Sequence, residues 1–147
     1  MAIVVAELLS VDAERLALQR WNKPIAVLCN EGSYSNAEIF SHAVKTIARG
    51  PVVGVTTGGN VISTGGWRTL DGGRIRLPFR GWYVWGDARD PGRNGQNQER
   101  AGCVPDHEVP LGPPQVLRGE DPQLARAVSL MRAAAAEAAA RPRPPVR

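Results

Sequence analysis

The chain has 147 residues, 43% of them hydrophobic, which suits one compact α/β domain and excludes two. Its formal charge of +4 comes from scattered arginines, several of them in the terminal "RPRPPVR", so no nucleic-acid partner is expected. No apolar run approaches the ~18 residues of a membrane span and the start lacks the basic lead of a signal peptide, leaving a cytoplasmic address as the default.

Residues 1–21 read as an N-terminal helical segment, although strand and helix patterns compete over "AIVV". Next, "KPIAVLCN" (23–30) opens on Pro24 and carries five apolar residues in a row, the pattern of a strand buried on both faces. A helix is predicted from about Asn36 to Arg49. Its buried stripe would be Ile39, Ala43 and Ile47, with Phe40 and Val44 beside it, and Gly50 would end it. "PVVGVTT" is a second strand, giving a right-handed strand–helix–strand unit with parallel strands.

Glycines then divide residues 56–86 into three or four short antiparallel strands, with the arginines of "RIRLPFR" on the wet face of half-buried strands. Residues 86–101 are polar and turn-rich, a long surface loop of the kind that carries function. "HEV" is a short strand at best. In the last helix Asp121 caps, Pro122 takes the first position and Leu124, Val128 and Met131 form the buried stripe; "RAAAAEAAAR" extends it by propensity. The division is thus 1–21, a core over 22–140, and a disordered basic tail at 141–147.

Three serines, Ser33, Ser35 and Ser41, lie in or near the turn between the first strand and the first helix. "SNAE" is a capping box, in which the Ser35 hydroxyl accepts the Glu38 N–H and the Glu38 carboxylate reaches back to the Ser35 N–H. A serine between a buried strand and a helix also sits where several hydrolases hold a nucleophile, beside N–H groups able to bind an oxyanion. The G-x-S-x-G elbow of the α/β-hydrolases is missing.

Other candidates have plainer readings. Cys29 and Cys103 make no CxxC motif, and Cys29 reads as an inert core thiol. Gly58 and Gly59 lack the rest of a phosphate loop and read as a hairpin turn. Asp106, His107 and Glu108 are adjacent on a strand and point to opposite faces, against a shared metal. Glu31, beside Asn30, could serve as an active-site carboxylate but reads first as a side chain that pairs near its turn. No metal and no cofactor are expected.

"VLCNEGSYSNAEIFSHAVK", "GPVVGVTTGG" and "GCVPD" together resemble the catalytic half of the tail-specific, or C-terminal-processing, serine peptidases, over about residues 22–131. The fold implied is the α/β spiral of Clp proteases and crotonases, and the activity implied is hydrolysis of polypeptides or peptides. Within that family a lysine base would stand at Asn60, and no lysine follows Lys45, so the resemblance is to the tricorn-like type. It implies Ser35 as nucleophile, the Asn36 backbone N–H as an oxyanion contact and Glu99 as the orienting carboxylate; Asn36 stands where that type has aspartate.

The type's histidine base lies upstream of the serine, and this chain has only His42 and His107, both after it. His42 stands two turns along the helix, about 10 Å from Ser35 by helix rise, and reads as a surface or partly buried polar residue. Two readings follow: a half-site whose base comes from other sequence or another chain, or a non-catalytic relative serving as a peptide-binding or assembly module. Relatives that form rings make a homo-oligomer or partner subunit an expectation.

Overall fold

The computed structural model describes residues 23–87 and 91–140; the segments expected at 1–21 and 141–147 lie outside the described residues. Five strands and three α-helices follow in order. They are β1 (Val27–Cys29), α1 (Asn36–Thr46), β2 (Val52–Gly54), β3 (Ser63–Arg68), β4 (Arg74–Arg80), β5 (His107–Glu108), α2 (Pro113–Leu117) and α3 (Pro122–Ala140). A 3-10 turn at Pro91–Arg93 interrupts the long loop.

β1, β2 and β5 form a parallel sheet in that order, with Val27 opposite Val52, Leu28 opposite Val53 and Val53 opposite His107. β2 is central, and its Val52 and Val53 are fully buried, as β-branched residues covered on both faces of a parallel sheet are. Gly54 adopts φ 139 where a Cβ would stand 1.8 Å from the Cys29 carbonyl oxygen, so only glycine lets β2 approach β1 there. The parallel strand–helix–strand expectation is met.

Several expectations are not. β1 is not buried on both faces: Leu28 is 45% exposed and lines an open groove of about 400 Å³ between β1 and α3, with Ala26, Leu124, Ala127, Val128 and Met131. The Leu124–Val128–Met131 stripe therefore borders a groove, and the buried residues of α3 are Gln123 and Ala127. Gln123 is satisfied there by donating to the Val109 carbonyl (2.8 Å). The α3 start is as read, with the Asp121 carboxylate accepting the Leu124 N–H at 2.8 Å. α2, short and opened by Pro113, was not anticipated.

α1 departs most from its pattern. It buries Glu38, Ser41, His42 and Val44, while Phe40 is 58% exposed and Ile47 is exposed too. The polar residues can be buried because each has a partner; Ser41 Oγ, for example, donates to the Ala37 carbonyl (2.9 Å). The helix stops at Thr46, and Ala48, at φ 52, takes the left-handed position expected near Gly50.

Residues 56–86 hold two strands rather than three or four. β3 and β4 pair antiparallel as a ribbon whose β4 is exposed along its whole length, so it is not half-buried. Downstream, Asp106 Oδ2 accepts the Val52 N–H (2.9 Å) and Oδ1 lies 3.8 Å from Lys45 Nζ, tying the "VPD" segment to β2 and α1. No helix among the described residues is long and apolar enough to cross a membrane.

Candidate active site

The turn after β1 folds on its own polar groups. Ser33 N donates to the Asn30 carbonyl (2.8 Å), Asn30 N to Ser33 Oγ (3.1 Å) and Gly32 N to Asn30 Oδ1 (3.0 Å). Ser33 is thereby occupied, and Ser41 is held within the helix by the Ala37 carbonyl. Ser35 differs: it is exposed, its hydroxyl makes no hydrogen bond among the described residues, and its backbone stands at φ 56, ψ −125. A non-glycine residue at positive φ is strained, and such strain concentrates at functional turns.

The capping box does not form. Ser35 makes no side-chain cap bond, and Glu38, fully buried, turns away from it. The Glu38 carboxylate accepts the Thr57 hydroxyl, the Gly59 N–H (2.6 Å) and the Asn60 N–H (2.7 Å). A carboxylate met by three converging donors is better satisfied than one closing a box on an exposed turn. Gly58 and Gly59 therefore form neither a hairpin nor a phosphate cradle: the Gly59 N–H meets the carboxylate and the Gly58 N–H donates to the Ser33 carbonyl (3.1 Å). Gly59, at φ 69, has the Arg100 backbone 2.9 Å from where a Cβ would be.

Asn60 joins this turn to the serine, its carbonyl accepting the Ser35 N–H at 2.9 Å. The Asn60 amide donates to the Gly58 carbonyl (3.0 Å). Glu99 reaches the same segment from the long loop: its Oε2 accepts the N–H groups of Val61 (2.8 Å) and Ile62 (2.7 Å). Two bonds hold Glu99 in turn, Glu99 N to Asn97 Oδ1 (3.0 Å) and Arg100 N to the Gly59 carbonyl (2.7 Å). Ser35 and Glu99 thus grip consecutive residues, 60 and 61–62, of one segment. The Asn36 N–H, first of the helix, donates to no group among the described residues.

His42 is buried, not at the surface. Its Nε2 donates to the Gly102 carbonyl at 3.2 Å, and burial, reinforced by the Arg93 charge, lowers its pKa to about 4. His107 Nδ1 lies 3.4 Å from an Arg126 guanidinium nitrogen, on the third strand of the sheet. Both imidazoles are engaged away from Ser35. Cys29 and Cys103 are buried free thiols whose pKa burial raises, that of Cys103 to about 12, which fits the inert reading. Glu31 is exposed in its turn. Among the described residues no group of three His, Cys, Asp or Glu could hold a metal ion.

Sequence reasoning missed Thr57, which donates to Glu38 and accepts the Cys103 N–H (2.7 Å), and missed what Glu38 grips. The glycines of "TTGGN" were the available signal, since a backbone that folds N–H groups inward needs them.

Fold and turn together define a mixed α/β chain of the tail-specific and tricorn-like peptidase class. Residues 7–109 match the model of peptidase family S41, and the chain belongs to that family. It is 37% identical over 122 residues to tricorn protease homolog 1 of Streptomyces coelicolor, covering 82% of this chain and 11% of that one. To the tricorn protease of Thermoplasma acidophilum it is 32% identical over 109 residues, 73% of this chain and 9% of the other. A crystal structure of the tricorn protease superposes with a TM-score of 0.59 at 26% identity, covering 75% of this chain and 10% of that one. The chain spans about a tenth of the length of the curated relatives it matches.

Proposed function

We propose that residues 22–140 form the serine-bearing half of a peptidase site that cleaves polypeptides or peptides through an acyl-enzyme on Ser35. Ser35 Oγ attacks the scissile carbonyl, its proton passes to a base, and the oxyanion is held partly by the Asn36 N–H. Collapse expels the amine, which takes the proton, and water then releases the acyl group. Glu99 orients the 60–62 segment that contacts Ser35. The sheet β1–β2–β5 and its helices are read as one part of a Clp/crotonase-like spiral, and the setting as cytoplasmic.

The observation that carries this reading is Ser35 itself: strained at φ 56, exposed, and with an unbonded hydroxyl at a helix start. A helix cap has no need of that geometry. The base is assigned to sequence outside these residues or to a second subunit, because both histidines are engaged elsewhere.

That same engagement favours a second reading, a non-catalytic peptide-binding or assembly module, since a serine without a base is almost wholly protonated at neutral pH. Fluorophosphonate labelling read by intact mass, with Ser35→Ala as control, separates the two. Labelling that disappears in the variant supports activated Ser35 and demands a base in the oligomer. No labelling of a folded sample, alone or mixed with any partner subunit, sinks the catalytic reading.

A further inference from the structure

The β3–β4 ribbon carries four arginines with no acidic partner among the described residues. Its register sets Arg68 directly opposite Arg74 and Gly66 opposite Arg76. Strand alternation then collects Arg68, Arg74 and Arg76 on one face, while Trp67, Ile75 and Leu77 take the other; beyond Pro78 the register skips Phe79, and Arg80, paired with Ser63, leaves the arginine face. Like charges facing each other across a strand pair are destabilising. Arg76 is partly engaged by the Thr64 hydroxyl (2.6 Å), and Arg80 lies 5.5 Å from the Phe79 ring centre. None of the four forms an ion pair among the described residues. Asp71, at the ribbon tip, spends its carboxylate on the Thr69 hydroxyl and the Gly73 N–H (3.2 Å).

The ribbon grows straight out of the candidate site. Ser63 follows Ile62, whose N–H Glu99 holds, and Trp82 Nε1 pins the ribbon's base by donating to Ser63 Oγ at 2.8 Å. We infer that the arginine face is a docking surface for acidic segments of polypeptide, which it brings beside the Ser35 turn. Carboxylates laid between Arg68 and Arg74 would relieve the opposed charges, and guanidinium forks suit them. The inference rests on the peptidase reading for its choice of occupant. Nucleic acid fits less well: Trp67 sits on the opposite face from Arg68, Arg74 and Arg76, so a strand bound by its phosphates to those three would find no ring beside them on which to stack its bases.

The test is a fluorescence-anisotropy titration of the full chain with a fluorescein-labelled hexaglutamate peptide, its hexaglutamine counterpart, and a single-stranded oligonucleotide of equal charge. The expected result is at least about tenfold tighter binding of the glutamate peptide, weakening with salt. The double variant Arg68→Ser/Arg74→Ser, which removes a repulsion and leaves the thermal midpoint unchanged or higher, loses that preference. Equal affinity for both peptides, an undiminished preference in a folded double variant, or tighter binding of the oligonucleotide overturns the inference. Fluorophosphonate labelling of the same sample keeps the two ideas apart: arginine-dependent peptide binding without labelling retains the docking face and removes only the chemistry.

Discussion

The Glu38 carboxylate accepts the Asn60 N–H at 2.7 Å, across 22 residues of sequence, instead of returning to the start of its own helix. With the Thr57 hydroxyl and the Gly59 N–H it makes one buried anchor, so the helix that carries Ser35 and the glycine-rich turn are fixed to each other. Replacing Glu38 by Ala leaves three donors without an acceptor in a closed space, at about 1–3 kcal/mol for each buried orphan. The expected loss is on the order of 3 kcal/mol, read as a lower urea midpoint at constant slope. Amide exchange at Gly59 and Asn60 should accelerate ahead of exchange at Val53. An unchanged midpoint would show that the carboxylate is not the anchor.

Ser35 gives a prediction of opposite sign to a cap. A capping serine loses about 1 kcal/mol on replacement by Ala. Here the hydroxyl makes no cap bond, so Ser35→Ala should stay within about 0.5 kcal/mol of the parent. Ser35→Gly should gain, by roughly 0.5–1 kcal/mol, because glycine adopts φ 56 without the Cβ penalty. Thermal midpoints of the three proteins decide it. A glycine variant less stable than the alanine one would mean the turn is not strained.

The order of elements was legible because buried β-branched runs, a helix start and proline and glycine punctuation are local signals; the parallel β1–β2 pair and the Asp121 cap follow from them. What α1 buries was not legible. Periodicity finds the apolar stripe, yet Phe40 and Ile47 are exposed while Glu38 and His42 are buried, because acceptors and donors from residues 57–60 and 102 meet the polar face. Glu99 was placed by resemblance alone. Its two bonds to Val61 and Ile62 span nearly forty residues, and no local pattern records them.

His42 should make stability fall on the acid side. Its folded pKa of about 4 lies below the ordinary 6.5, so as pH drops the unfolded chain takes up the proton first. Stability from this group is therefore full above about pH 7 and is lost between about pH 6.5 and 4. The slope is at most about 1.4 kcal/mol per unit. Urea midpoints across that range should decline in the parent and decline less in His42→Gln, whose amide can still donate to the Gly102 carbonyl. Equal slopes in the two proteins would mean another group titrates there.

The two thiols report on the same anchor. Burial holds the Cys103 pKa at about 12, and from thiolate fraction alone its alkylation at pH 8 should be on the order of a thousandfold slower than that of an exposed cysteine. Cys29, also raised by burial, should be slow as well. In urea both should react at once, giving two equivalents by mass. Cys103 is tied to the anchor through its N–H, which donates to the Thr57 hydroxyl at 2.7 Å, and that hydroxyl in turn donates to Glu38. Loosening Glu38 should therefore expose Cys103 before Cys29, whose thiol is held by the Val55 carbonyl in the sheet (3.3 Å). Mass-resolved alkylation of Glu38→Ala in water should show a singly labelled species at Cys103. Simultaneous labelling of both would mean the turn opens only when the sheet does.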